Sequence, residues 1–376
     1  MKTAINGEKH LQSLDVFRGI AIAGMIIVNN QGDWSHVYPA FRHAAWHGWY
    51  GADIVFPLFL FAVGASIFFS FMRGSGDCAS RNAIFFKVLR RTVILIALGL
   101  FLNLFPFFDF STVRIPGVLQ RIGLSYFFAA VLVLFTGPKT QKAVTLFLLV
   151  LYGALLMCVT PSGIGRGSLE PCCNLPGYVD SLLLPGHTYE LAPVPGFDPE
   201  GILSTIPSIA SALIGVFAAS LVHAAIQGKR NIWIAPGAGA AAVLAGLALN
   251  AVLPINKNLW TPSYCLFMGG LAIILFSLCS YLCDRKRYRR AFLPFTILGR
   301  NAIAAYLLSS LAGKALLSIN MTRGETAVPL KTIIFQSVFA PWFEPAAASL
   351  LYAVSFLLIW LGVMYLLYRK GVFIKI

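Results

Sequence analysis

About ten apolar runs recur along this chain, each close to the roughly 20 residues a helix needs to cross a bilayer. They fall at about 16–31, 50–71, 88–105, 117–136, 142–160, 203–226, 232–252, 264–283, 293–313 and 349–368. In hydrocarbon every backbone N–H and C=O must be satisfied within the segment, so runs of this kind fold as helices. The expectation is an all-α, polytopic membrane helix bundle of about ten spans, forming one domain over residues 1–376. Composition closes the soluble alternative. Charged residues are 11% of the chain, against roughly 25% in a soluble domain. The stretch 331–343 is apolar but short and reaches Pro341, which predicts a re-entrant or interfacial helix. Basic residues precede the first run without a small-residue cleavage site after it, so the run reads as a retained helix.

The net charge of +15 invites a nucleic-acid reading, and the placement of the charges excludes it. Lys2, Lys9, Arg18, the 87–91 and 285–290 clusters, Lys229, Arg230, Arg369, Lys370 and Lys375 all fall on one side if spans alternate. That bias sets both termini in the cytoplasm. The long loop at about 161–202 then lies outside. It carries Glu170, Asp180, Glu190, Asp198 and Glu200 against Arg166, and a loop so long without helix or strand periodicity is commonly functional. Seven cysteines show no CxxC or other metal-ligand spacing, so no metal is expected. Cys158, Cys265, Cys279 and Cys283 sit in or beside apolar runs, where a thiol behaves as a small hydrophobe. The Cys172–Cys173 pair is assigned no role.

In so apolar a chain the polar residues near the spans carry the information, since ionisable groups there are costly. Asn29 and Asn30 end the first run, and Arg42, His43 and His47 follow in FRHAAWHGWYGADIVFP. Asp53 opens the second run, Gln120 and Arg121 open the fourth, and Asp198 and Glu200 precede the sixth. Alternation of the spans brings all of these to the outer end. An imidazole among carboxylates, amides and a guanidinium suits general acid–base or nucleophilic work. Plainer readings stand beside it. A loop histidine is commonly just solvated, and Trp34, Trp46, Trp49 and Tyr50 fit an interfacial belt as well as a sugar platform. Asp53 could pair with Arg121 to hold helices, and Asp198 could cap a helix beginning at Pro199. At the inner end Asp15 and Arg18 open the first run, and Arg300 and Asn301 lie in LGRNAIAAY. About 17 Å of helix separates Arg18 from Asn29, so a ligand touching both must be long.

The motifs LDVFRGIAIAGMIIVN, HAAWHGWYGADIVFP, RIPGVLQRIG and DPEGILSTIPSI occur in that order from residue 14 onward. With them the chain resembles the heparan-α-glucosaminide N-acetyltransferases and their bacterial relatives. The resemblance implies transfer of acetyl from cytosolic acetyl-CoA to the amine of a glucosamine-type sugar across the membrane. It implies His43 as the catalytic histidine, with Asn29 and Asp53 beside it. Trp46, His47, Gln120, Arg121, Asp180, Asp198 and Glu200 are then expected on the acceptor side. Arg18, Arg300 and Asn301 are expected to meet acetyl-CoA, whose pantetheine arm has the required length. The eukaryotic enzymes have Asn where this chain has His47, and a lumenal domain ahead of the first motif. The expected acceptor is therefore a free amino sugar or cell-wall fragment, in the inner membrane of a bacterium. Two rivals stay open: a transporter of glucosamine or N-acetylglucosamine, and an O-acyltransferase of a surface glycan. A homodimer is left open, with no motif for it.

Overall fold

The computed structural model describes residues 11–74, 80–161, 165, 167–323 and 326–374; Lys2, Lys9, Arg166 and Lys375 lie outside them. In chain order the elements are α1 (Gln12–Asn29), α2 (Gly51–Gly74), α3 (Arg81–Leu104), α4 (Val118–Phe135) and α5 (Pro138–Cys158). A small hairpin of β1 (Leu169–Glu170) and β2 (Cys173–Asn174) leads to α6 (Leu175–Leu183). There follow α7 (Thr205–Ile226), α8 (Ile234–Leu249), α9 (Pro262–Ser280), α10 (Leu293–Arg300) and α11 (Ala302–Ser318). A second antiparallel hairpin, β3 (Asn320–Arg323) with β4 (Thr326–Pro329), precedes α12 (Leu330–Ile334) and α13 (Pro345–Arg369).

Each expected run is helical, but not every one is long and apolar enough to be recognised as a span. Seven helices among the described residues are long and apolar enough to cross a membrane, or eight if α10 and α11 are one broken span. Two runs fall short for different reasons. α3 carries Arg81, Lys87, Arg90 and Arg91 in its first half, which leaves only Thr92–Leu104 free of charge. α8 is too short at 16 residues. The run expected at 293–313 is bent by 83° between α10 and α11. The break falls at Asn301, which donates to Val372 O at 3.2 Å and accepts from Ile374 N at 2.9 Å. Its side chain is thereby committed to the C-terminal segment.

Small residues set how closely the helices pack, as is usual where lipid offers no hydrophobic drive between them. A Cβ on Gly19 would lie 1.8 Å from Phe295 O, and one on Gly299 would lie 1.8 Å from Asp15 O. α1 and α10 therefore cross backbone to backbone at these two glycines. Around α1 the core closes with aromatic rings, Phe17 meeting Phe61 of α2 at 5.3 Å and Phe276 of α9 at 5.5 Å.

The long loop contains more structure than its sequence suggested. α6 starts where Asn174 accepts a hydrogen bond from Gly177 N at 2.8 Å and Pro176 occupies the first turn. Nine residues are too few for helical periodicity to stand out. α6 and the turn before α7 form a lid-like layer. It packs on one end of the bundle, where α1 ends and where α2, α4 and α9 begin.

Candidate active site at one end of the bundle

The segment between α1 and α2 folds back on the start of α2 because one carboxylate ties it down. Asp53, in the first turn of α2 and 1% exposed, accepts backbone N–H from Ala44 at 3.0 Å and Tyr50 at 2.9 Å through Oδ2. Its Oδ1 lies 2.7 Å from His43 Nδ1. A carboxylate facing Nδ1 favours the tautomer with its proton there, which leaves the lone pair on Nε2, 3.3 Å from Lys257 Nζ. The His43 side chain remains 44% exposed.

His43 lines a cavity of about 400 Å³ with Asn29 from the end of α1, Arg114, Tyr189, Glu200, Lys257 and Asn258. Its apolar wall includes Met25, Val28, Val55 and Phe56. Opposite the histidine, Arg114 grips Asp198 with two hydrogen bonds, Nε to Oδ2 at 2.8 Å and NH2 to Oδ1 at 2.6 Å. The same NH2 donates to Glu200, and the guanidinium lies 4.4 Å over the Tyr189 ring. Burial works against the charge on Arg114, yet the two carboxylates hold it protonated more firmly than a free arginine. Burial likewise works to raise Glu200, but the charges of Arg114, Arg121 and Lys257 hold it below the ordinary carboxylate range. For Asp198 burial wins, and the group lies above that range.

The turn carrying Asp198 and Glu200 is built over Asp180 of α6. Asp180 accepts from Ile202 N at 3.0 Å and Asp198 N at 3.3 Å. Burial raises it to about 6, against those two donors. Gly201 is required by contact here, since a Cβ would sit 2.0 Å from Asp180 Oδ2. The turn is not the start of a helix at Pro199: α7 begins at Thr205, and Asp198 binds Arg114 while accepting Glu200 N at 2.8 Å.

Other expected site residues stand back from the cavity. Arg121 is 1% exposed and donates to Gly201 O at 3.2 Å and to Ser204, with its guanidinium 5.1 Å from the Trp260 ring. It does not pair with Asp53. Gln120 donates to Ile115 O at 3.0 Å. Trp46 is not part of a surface belt, being buried with its Nε1 donating to Leu169 O at 2.7 Å and its ring 5.4 Å from Phe197. Trp34, Trp49 and Tyr50 are exposed. His47 Nδ1 accepts from Asn256 at 3.3 Å and does not reach the cavity wall.

At the far end of α1, Arg18 lies 3.8 Å from Asp15 and donates to Ser66, and Arg300 Nε donates to Asp15 at 3.3 Å. The Arg300 guanidinium sits 5.3 Å from both the Tyr368 and Phe373 rings. Asn301 is buried against the C-terminal segment.

Sequence reasoning passed over Arg114, Tyr189, Lys257 and Asn258. Arg114 opens the same RIPGVLQRIG motif whose later Gln–Arg pair drew attention. Lys257 is one of several isolated basic residues away from the basic clusters, and nothing in the sequence singles it out.

A family model described as "Heparan-alpha-glucosaminide N-acetyltransferase, catalytic" matches residues 11–254. The Homo sapiens heparan-alpha-glucosaminide N-acetyltransferase is 33% identical over 350 residues, covering 79% of this chain and 52% of the human one. The Mus musculus protein of the same name is 30% identical over 359 residues, covering 81% of this chain and 54% of its own. The chain thus spans about half the length of the curated relatives it matches.

Proposed function

This chain belongs to the family of the heparan-alpha-glucosaminide N-acetyltransferase catalytic region, and from that premise we propose that it is an acetyltransferase working at the His43 cavity. The donor is acetyl-CoA and the acceptor the amine of a glucosamine-type sugar. One observation carries the reading: a histidine oriented by a buried aspartate lines a cavity with both polar and apolar walls.

The acceptor arrives as an ammonium ion and must lose a proton before its nitrogen can attack the thioester carbon. As the new C–N bond forms the C–S bond breaks, and coenzyme A leaves as a thiol carrying one proton. The net reaction of an ammonium and a thioester yields an amide, a thiol and one proton. His43 Nε2 serves in either of two ways. It takes the proton from the amine and passes one to the leaving sulfur, or it accepts the acetyl group and hands it to the amine. In both, Asp53 holds the ring and stabilises the positive charge it gains. Asn29 and Glu200 offer an amide and a carboxylate to the acceptor, while Arg114, Asp180 and Asp198 fix the position of Glu200. Trp46, His47, Gln120 and Arg121 hold the surrounding loops in place.

In this reading the bundle crosses the membrane about ten times, with α3 and α8 as short spans and both termini cytoplasmic. The loop at 161–202 faces outward, in a bacterial inner membrane. Acetyl-CoA enters from the inner end, where its phosphates compete with Asp15 for Arg18 and Arg300, beside Asn301. The rise of α1 from Arg18 to Asn29, about 17 Å, is within reach of the pantetheine arm.

The test is thiol release by the purified protein given acetyl-CoA and glucosamine, with and without His43→Ala. Release that needs both substrates and His43 supports the reading. Full activity in a folded His43→Ala protein ends it. Recovery of acetyl on His43 when the acceptor is withheld identifies the two-step route.

A further inference from the structure

Lys257 lies closer to the imidazole than to any carboxylate. Its Nζ is 2.9 Å from His43 Nδ1 and 3.3 Å from Nε2, against 3.5 Å from Asp53 Oδ1. A lysine serving only as counter-ion to Asp53 would close on the carboxylate instead. The side chain also lines the cavity, beside Asn258.

The backbone that delivers it is strained and held from several directions. Trp260 N donates to Lys257 O at 3.1 Å, closing a turn in which Trp260 takes φ +53°. An aromatic residue in the left-handed region is costly and persists only where surroundings impose it. Here they do: Trp260 is 1% exposed and its Nε1 donates to Ser211 at 3.1 Å. Asn256, fully buried, accepts from Leu259 N at 2.9 Å and donates to His47. Gly48 N donates to Ile255 O at 2.8 Å. The loop bearing Lys257 is thus stapled to the loop bearing His43, which fixes the two side chains relative to one another.

We infer that Lys257 is a catalytic residue of this site, donating the hydrogen bond that holds the acyl oxygen while the carbonyl carbon is attacked beside His43. This rests on the acetyl-transfer reading. When the nucleophile adds to the carbonyl carbon, the C=O π pair moves onto oxygen. That oxygen then carries a negative charge until the pair returns and the C–S bond breaks; in the direct route the thiolate takes the Nε2 proton of the imidazolium, and in the two-step route, where Nε2 carries the acetyl group, it takes a proton from water. A donor seated 3.3 Å from Nε2 is near enough to meet the oxygen of a carbonyl whose carbon is bonded or closely approached by Nε2, when that oxygen turns to the lysine's side. The service is the same in the direct and two-step routes.

The ammonium faces His43 from the loop before α2, Asp53 and Asp53-bound Tyr264 from α2 and α9, and Glu200, Arg114, Arg121 and Tyr189 across and beneath the cavity. Burial lowers its pKa, and the charges of Asp53 and Glu200 oppose that. Raising the pH therefore strips Lys257 of its proton sooner than a solvated lysine, and turnover falls on the alkaline side.

The experiment measures thiol release against pH for the full chain, Lys257→Met and Lys257→Arg, with folding followed by thermal melting in detergent. Losing one such donor lowers kcat by about 10²–10³-fold in Lys257→Met with KM for acetyl-CoA nearly unchanged. Lys257→Arg recovers part of the rate and moves the alkaline fall to higher pH. A folded Lys257→Met protein with unaltered kcat overturns the inference. Should that variant fail to fold, an unmoved alkaline fall in Lys257→Arg does the same. The acetyl-transfer reading fails separately, through the unaltered protein and His43→Ala.

Discussion

Replacing Asp53 by Asn tests the orientation of His43 with almost no change of shape. The carboxylate accepts from four directions: Ala44 N and Tyr50 N at Oδ2, His43 Nδ1 and Lys257 at Oδ1. An amide keeps only one oxygen. With that oxygen toward the two backbone donors, its NH2 faces His43 Nδ1 as a donor, and the ring must carry its proton on Nε2, where no lone pair then remains. The reverse orientation restores the reactive tautomer but sets NH2 against two N–H groups. Giving up those two hydrogen bonds costs about 2–3 kcal/mol at about 1–1.5 each, so the useful form falls to about 1% or a few per cent of the protein. Loss of the negative charge that stabilises the imidazolium adds to this, and the expected fall in kcat is about 10³–10⁴-fold. The assay is thiol release from acetyl-CoA with saturating glucosamine, alongside a melting curve to show that the variant is folded. Activity within tenfold of the unaltered protein would refute the assignment of Asp53 as the group that sets the tautomer.

Three further outcomes follow from the lid-like layer. Arg114→Gln leaves buried Asp198 and Glu200 without their cation and should cost about 3–5 kcal/mol of stability, seen as a lower melting temperature together with lost transfer. Gly201→Ala drives a Cβ into the Asp180 carboxylate and should cost about 1–3 kcal/mol; normal melting and normal turnover would show that the turn can move aside. Asp180 is raised to about 6 by burial, so between about pH 4 and 6 the folded chain binds more protons at this site than the unfolded one. Stability from this group is then present at low pH, declines as pH rises through that window and is flat above it. Asp180→Asn should flatten the corresponding part of a melting-temperature profile, and an unchanged slope would assign it to other groups.

The helices were legible because a run of apolar residues leaves the backbone no other way to satisfy itself. The number of spans was less so. In α3 the basic residues that mark a membrane edge also consume half of the helix, and nothing in the run 293–313 announces an 83° break at Asn301. That break depends on Val372 and Ile374, which are far along the chain. The same limit governs the site. Asn29, His43, Asp53, Asp198 and Glu200 stand in recognisable motifs. Arg114 needs a partner 84 residues away, and Lys257 approaches a histidine 214 residues away. Sequence offers many lone basic residues and no means of choosing among them. For Trp46 and Arg121 the residue type suggested contact with a substrate, whereas burial against Leu169, Phe197 and Trp260 consumes their surfaces.

The cavity also joins two electrostatic demands that a membrane makes difficult. A site at the end of a lipid-embedded bundle must keep its ions paired, because an uncompensated charge in a poorly hydrated environment is expensive. Under the proposed acetyl transfer it must also leave room for negative charge to develop on the acyl oxygen. Pairing here is asymmetric: Arg114 is spent on two carboxylates, while Lys257 shares one oxygen of Asp53 with His43. Lys257 therefore keeps donor capacity turned toward the ring. The starts of α2, α4 and α9 lie at the same end, and the partial positive charge at a helix N-terminus favours an anion near it. Asp53 occupies one of these starts, in the first turn of α2. In the proposed reaction Lys257, held beside the ring, makes an oxyanion in this cavity less costly than the surrounding lipid would allow.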